Sequence, residues 1–492
     1  MTRYLVLSDL HLADIEEHDD GWKAHKARRH TYDDALAETI ARFADDGDGD
    51  DDGRAARDER RVLVLNGDTL DFDLVSAVPD ADERAPFSVS RRERRVGLDA
   101  TASKSAWKAR RVLADHPFFV EALARFVSAS ARHELVIIAG NHDPELVFDE
   151  VQAAVREALR AAGAREADVE ARVRFERWFY MVPGEIYVEH GQQYDVYCAQ
   201  RFVLSPTLES PGREREVTIS MGDLSNRLLL GRMGTFNPHA SDYILGALSY
   251  VGHWLRHYAF TRRSLIGAWI LGSLAVLRRM LAIRRRLRRR PADYDALLAQ
   301  QAERAGVPLE TVHALERLRR RPIHQRVYRM MRELWLDRVL LALAMTGGTV
   351  ALALVPIPLW IKLVVPLSVM PLLWFGYEHL ARGETIFSIE RHALEVAREV
   401  ARLTRCKLVT FGHTHRPELV PLSGGSTYVN TGTWAPVLRR GELAPGLRNV
   451  LEARFVEGCE PQIAFSSRSD HVPAPALHDE ARRAEVAEEL AA

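Results

Sequence analysis

Cysteine is scarce in this chain. Cys198, Cys406 and Cys459 are the three among 492 residues, and they lie far apart. That spacing excludes a disulfide framework and a thiolate zinc site, and it fits a reducing compartment. Net charge is missing as well: 67 Lys and Arg stand against 68 Asp and Glu. No bulk field draws such a chain to a polyanion, and nucleic acid is not expected as a partner. A leader is also wanting. "MTRYLVLSDLHL" runs from a strand-like segment straight into polar residues, without the basic start and long apolar stretch of a signal peptide. The charge balance hides local extremes, an acidic "DDGDGDDDG" at 45–53, read as a solvated loop, and a basic "RRRLRRR" at 284–290.

What is present is a repeating pattern. Apolar runs rich in β-branched residues occupy 3–7, 62–65, 134–139, 184–189 and 407–411, and each ends in Gly, Asp, Asn or His. Runs of this kind read as buried strands. Helical patterns lie between them at 31–44, 104–132 and 148–163. Strand, polar loop and helix in repetition predict an α/β layered fold, with any ligand held just beyond the strand ends.

From 206 to 395 the pattern changes to long, Arg-rich, helical segments. Residues 339–361 carry no charge, Lys362 interrupts, and 363–377 is uncharged again. About 20 apolar residues cross a bilayer core, and "VPIP" breaks the helix, so these runs predict a membrane hairpin. The alternative is a buried helical pair. The heavily basic flank on the N-terminal side of the hairpin places that side in the cytoplasm. A shorter run at 265–277, followed by arginines, reads as an interfacial or core helix. Strand patterns return at 407–411, 426–434 and 450–456. The expected organisation is therefore one α/β domain in two parts, 1–205 and 396–468, with 206–395 inserted and 469–492 as a loose tail.

The residues that follow the strands form a constellation. "SDLH" gives Asp9 and His11, "NGDTLD" gives Asp68 and Asp71, and "GNHD" gives Asn141, His142 and Asp143. "EHGQQYD" gives His190, and "GHTH" gives His413 and His415. Taken singly the pieces are ordinary, since Asp-x-His opens many turns and Gly-Asp is a turn dipeptide. Five such ends in one chain supply the donors a pair of divalent ions needs: a carboxylate to bridge, imidazoles and an amide oxygen. Asp71 fits either support of a metal-binding His or a turn cap. Tyr194 and Asp195 are candidates to line the pocket. His116, His133, His253 and His257 read as ordinary core or surface histidines.

"SDLH", "NGD", "GNHD", "HG" and "GHTH" together resemble the calcineurin-like metallophosphoesterases, over about 1–200 and 400–460. The resemblance implies a four-layer α/β/β/α sandwich with a two-metal site and leaves the large helical insertion unaccounted for; oxygen and imidazole ligands suit manganese first, with iron, zinc or magnesium as alternatives. Asp9, His11, Asp68 and His415 would bind one ion. Asp68, Asn141, His190 and His413 would bind the other. His142 would sit beside the reacting phosphate, oriented by Asp143. The implied activity is hydrolysis of a phosphate ester or pyrophosphate by water activated at the dinuclear centre.

"SDLHL" and "FGHTHRP…YVNTGTW" are also similar to bacterial UDP-2,3-diacylglucosamine hydrolases, which cut a pyrophosphate bond. The chain departs from those enzymes in carrying His142 where they carry Arg, and in its longer insert. With the hairpin, the expectation is an enzyme at the cytoplasmic face of the inner membrane acting on a phosphate-bearing small molecule or lipid. The competing expectations are a soluble nucleotide or nucleic-acid phosphodiesterase and a non-catalytic membrane scaffold.

Overall fold

Side chains two apart share one face of a strand, and this alternation sorts the core into two parts. In β1 (Thr2–Leu7), Tyr4 and Val6 join one buried cluster while Leu5 and Leu7 join another. The computed structural model describes residues 1–17, 24–28, 31–45, 59–80, 82–210, 212–228, 255, 265–287, 289–380, 388–435, 438–439, 442–443 and 448–467. The acidic loop beyond Asp45, His253, His257 and the tail at 469–492 lie outside the described residues.

The protein is mixed α/β. One six-stranded sheet contains β1, β2 (Arg60–Asn66), β3 (His133–Ile138), β4 (Val173–Glu176), β14 (Asn449–Phe455) and β15 (Gln462–Ser467), in the spatial order β15-β14-β1-β2-β3-β4. A five-stranded sheet contains β5 (Phe179–Val182), β6 (Ile186–Glu189), β9 (Leu408–Phe411), β10 (Pro417–Pro421) and β11 (Thr427–Thr431), in the order β10-β11-β9-β6-β5. β7 (Thr207–Ser210) pairs with β8 (Arg213–Val217), and β12 (Leu438–Arg439) with β13 (Glu442–Leu443). The neighbours β1, β2 and β3 run parallel, as do β6, β9 and β11. Parallel pairing aligns the carboxyl ends of successive strands, and the candidate residues follow those ends.

Val6, Val64 and Val136 of the first sheet share one apolar cluster with Tyr180, Val188, Leu408 and Val429 of the second. The two sheets therefore bury these faces together. Leu5, Leu63 and Leu135, one residue out of phase, pack in the larger cluster with Leu36, Phe119 and Val151 from helices Asp33–Asp45, Pro117–Ala129 and Asp149–Ala161. Helix Ser388–Thr404 packs against β9 and β11. Ile186 stands opposite Leu408, so the chain leaves the second sheet after β6 and re-enters it beside the strand it left.

Several local expectations need correction. The helical pattern at 104–132 is two helices, Ala102–Asp115 and Pro117–Ala129. Pro117 cannot donate a backbone hydrogen bond and starts a new helix instead of continuing the old one. The segment from 206, expected to be helical, opens with the β7–β8 hairpin. β8 is "REREV", whose charged, mostly exposed side chains give no apolar alternation to reveal it. In helix Leu265–Arg286, Ser273, Val276, Met280 and Ile283 form a buried stripe at helical spacing, whereas Leu271 and Leu274 are exposed.

Two helices are long and apolar enough to cross a membrane, Leu336–Leu354 and Leu359–Leu380. At 1.5 Å per residue they measure about 29 and 33 Å, matching a bilayer core of about 30 Å. Only Leu336 and Asp337 of the first are buried, and nothing in the second. Among the described residues the pair is not buried as a core: Leu354 is 82% exposed and Leu367 76%. The turn falls at Val355–Pro358, as the prolines dictate. Lys362 does not interrupt the second helix. Its Nζ reaches back to the Ala353 carbonyl at 2.7 Å, where a cation suits the free carbonyls of a helix end. At the opposite end of the pair, Arg338 grips Glu378 through two hydrogen bonds of 2.6 and 3.0 Å.

Candidate metal centre

Five strand ends deliver their polar residues to one buried place. Asp9 and His11 follow β1, Asp68 follows β2, and Asn141, His142 and Asp143 follow β3. His190 follows β6, and His413 and His415 follow β9. Asp9, Asp68, Asp143 and His190 are at most 1% exposed. Buried charge of this density requires mutual pairing or a bound ion.

Close backbone approach is what brings the ends together. A Cβ on Gly67, which has φ +76°, would lie 2.4 Å from the His190 ring, and one on Gly412 would lie 2.5 Å from Asp9 Oδ2. Asp9, His11, Asp68, His413 and His415 all hold left-handed φ between 49° and 67°. Such conformations cost a non-glycine residue on the order of 1 kcal/mol or more, and they collect where a site overrides local preference. The later strands then clamp the first loop. Trp434 N and Thr433 Oγ1 each donate to the Asp9 carbonyl at 3.0 Å.

The donors fall into two overlapping groups. In the first, His415 Nε2 lies 3.1 Å from both Asp9 Oδ1 and His11 Nε2, while His11 Nε2 lies 3.9 Å from Asp9 Oδ1 and 3.8 Å from Asp68 Oδ2. In the second, His190 Nε2 lies 3.1 Å from Asp68 Oδ2 and 3.2 Å from Asn141 Oδ1. The ligand atoms of Asp68, His190 and His413 all lie within 4.8 Å of one another. Neighbouring donors around an octahedral ion with bonds of about 2.1 Å stand about 3 Å apart, so both groups match a coordination shell.

Hydrogen bonding fixes which imidazole atoms are free to coordinate. His190 Nδ1 lies 3.0 Å from the Asn66 carbonyl, an acceptor only, so Nδ1 carries a hydrogen and Nε2 is the atom that faces the two oxygens. His11 Nδ1 lies 3.1 Å from Asp71 Oδ2, which leaves its Nε2 facing inward in the same way. This is the arrangement by which carbonyls and carboxylates orient metal-binding histidines. These buried groups can hold metal ions.

The electrostatics agree. Burial works to raise the Asp9 carboxyl, but His190 and His415 outweigh it and hold it down at about 2. Burial works to lower His190, yet Asp68 and Asp9 pull it up to about 10. The cage therefore attracts positive charge, whether a proton or a metal ion.

Behind the donors, Asp71 does both things foreseen for it. Its Oδ2 faces His11 and lies 3.3 Å from His142 Nδ1, and its Oδ1 accepts the Asp73 and Leu74 amides. Asp143 turns its carboxylate to the backbone. Its carboxylate accepts the backbone N–H groups of Gly140, Asp68, Thr69 and Leu70 at 2.6–3.3 Å, lashing two loops together. His142 is oriented instead by Asp71, Asp73 at 3.7 Å and Asp223 at 3.6 Å. Burial opposes the charge on His142, but Asp71, Asp68 and Asp223 raise its imidazole well above the usual histidine range. Asp195 receives His413 Nε2 at 3.1 Å, whereas Tyr194 turns away to donate to Glu189 at 2.7 Å.

Sequence reasoning missed Asp73 and Asp223. Asp73 stands two residues past Asp71 in "DFD", close enough to have been suspected. Asp223 gave no signal, because it lies in the segment whose pattern changes. No family model matches the chain, and no curated protein matches it.

Proposed function

We propose that the protein is a metal-dependent phosphoesterase of the calcineurin-like kind, seated at a membrane and acting on a phosphate ester or pyrophosphate of a lipid-linked substrate. One observation carries this reading: two donor sets sharing Asp68, their imidazole nitrogens turned inward, assembled from five strand ends. Two sheets facing one another, with helices against the outer faces, support the four-layer sandwich that the motifs imply.

Bound divalent ions, manganese first among the candidates, supply an activated water and neutralise phosphoryl charge. The chain's own residues do the rest. Asp68 bridges the two donor sets and accepts the His142 backbone N–H at 2.8 Å, which ties the "GNHD" loop to the centre. His142, facing Asp71, Asp73 and Asp223, is the side chain placed to donate to a phosphoryl oxygen or to protonate the leaving oxygen.

The membrane seat rests on the exposed apolar hairpin and on where its aromatics fall. Trp335 and Tyr328 stand at the base, each 60% exposed, and Trp360 stands near the turn, 65% exposed. Trp and Tyr at both ends of an apolar span are the pattern of the two membrane–water interfaces. A site held near headgroups gains effective concentration of a lipid-borne substrate. The same exposed surface disfavours a soluble phosphodiesterase.

The test is a hydrolysis screen with Mn²⁺ over phosphomonoesters, diesters and nucleotide–lipid pyrophosphates, with Asp68→Ala as the blank. The wild type is expected to turn over at least one class and the variant none. An Asp68→Ala protein with normal metal-dependent hydrolysis sinks the reading. Metal bound with no turnover on any class favours the scaffold.

A further inference from the structure

Asp223 lies in helix Met221–Leu228, far in sequence from every motif, yet it meets the centre. Its Oδ1 accepts the Asn141 Nδ2 hydrogen at 2.8 Å and lies 3.6 Å from His142 Nε2. The residue is 0% exposed, and among the described residues its Oδ2 has no hydrogen-bond partner. A buried carboxylate oxygen left unpaired is a cost that packing alone does not justify.

An amide side chain has one oxygen and one nitrogen end, and its partners decide which end faces which way. Asn141 shows Oδ1 to His190 Nε2 at 3.2 Å, on the side where the second donor set converges. The Asp223 oxygen on the other side accepts, so it holds Nδ2 toward itself and turns the carbonyl oxygen inward. The helix is well placed to keep it there. Met221, Leu224 and Leu228 are buried in the main core, the Arg227 guanidinium donates to the Val96, Gly97 and Leu98 carbonyls, and Ser220 Oγ accepts the Asp223 amide at 3.2 Å. The acceptor therefore sits on a fixed element.

We infer that Asp223 is a positioning residue: it locks Asn141 with its amide oxygen aimed at the second metal position, so that a segment outside the sheets completes that position. This deepens the phosphoesterase reading and rests on it. Outer partners of metal ligands typically contribute 10–100-fold to metal affinity, and the expected effect falls on one ion of the two.

The experiment uses the full chain in detergent, titrated with Mn²⁺ alone and followed by electron paramagnetic resonance, which distinguishes free, single and exchange-coupled ions. Asp223→Ala is expected to weaken one Mn²⁺ by 10–100-fold and leave the other unchanged, so that the coupled signal gives way to a single-ion signal at intermediate metal. Asp223→Asn keeps an acceptor for the amide and is expected to return to within about threefold of wild type. In an Asn141→Ala background, Asp223→Ala is expected to add no further loss, an outcome a merely structural role would not give. Equal binding of both ions by Asp223→Ala overturns the inference, as does a full loss in Asp223→Asn or an additive loss in the double variant. Asp68→Ala separates the two levels. If it too binds metal normally, the phosphoesterase reading falls. If it loses metal while the Asp223 variants do not, only the role of Asp223 falls.

Discussion

A hydrogen atom on Gly67 is all the space beside His190 allows. Gly67→Ala places a methyl 2.4 Å from two atoms of that ring and 2.6 Å from the His190 Cβ, at a φ of +76°. We expect it to cost about 1–3 kcal/mol in stability and to lose metal, read by thermal denaturation and by bound Mn²⁺ after desalting. His142→Ala should behave oppositely. None of its ring atoms belongs to the two donor sets proposed for the ions, so bound metal should stay at wild-type stoichiometry while kcat falls about 10²–10⁴-fold, the span typical of one proton-transferring group. A variant that loses metal as well would move His142 into the coordination shell. Residue identity at the strand ends was readable because each motif follows an apolar run. Roles were less so. Asp143 was expected to orient His142; its carboxylate accepts the Gly140, Asp68, Thr69 and Leu70 N–H groups and serves loop closure.

Among the elements, the strands that bear the site were the easiest to read, since each is an apolar run closed by a polar stop. β4, β5 and β10 escaped notice. They are only four or five residues long, and none is closed by a polar motif of the kind that marks the equally short β6 and β9. The hairpin was visible as composition, and its turn as two prolines, yet nothing in the composition said whether the apolar faces are buried. Exposure decides that, and it yields a prediction. The feet of the hairpin are close, with Tyr377 donating to Asp337 and Arg338 bound to Glu378, so a short Gly/Ser linker can replace 339–376. The shortened protein should stay in the supernatant without detergent and retain its metal, whereas the full chain should sediment with membranes. A full chain that remains soluble would remove the membrane seat.

At the scale of the whole molecule, the excursion between β6 and β9 folds back on its own start, in the loop after β6, and on β5. The Arg320 and Ile323 amides donate to the Gln193 and Val196 carbonyls at 2.9 Å, and the Gln301 amide donates to the Phe179 carbonyl at 3.0 Å. His324 lies in this fastening. Burial, with Arg201 and Arg284 nearby, pushes its imidazole down from 6.5 to about 4. A folded-state value below the unfolded one means that the unfolded chain takes up the proton first. The contribution to stability is therefore complete above about pH 6.5 and drains away as pH falls toward 4. Between pH 7 and 5 this group should remove on the order of 2 kcal/mol. His324→Gln should flatten that part of the pH profile in denaturant titrations, and an unchanged slope would deny the His324 contribution.

The turn at Val355–Pro358 carries one more implication. A polypeptide that dips into a lipid layer and comes back out does not thread the domain it interrupts to the far compartment. With the membrane seat proposed above, both halves of the sheet scaffold, made before and after the dip, would stay on a single side together with the donors they carry. Such an enzyme would process only those lipids displayed in its own leaflet. Molecules already flipped to the opposite one would escape it, and the timing of hydrolysis relative to flipping would fix which lipids are processed.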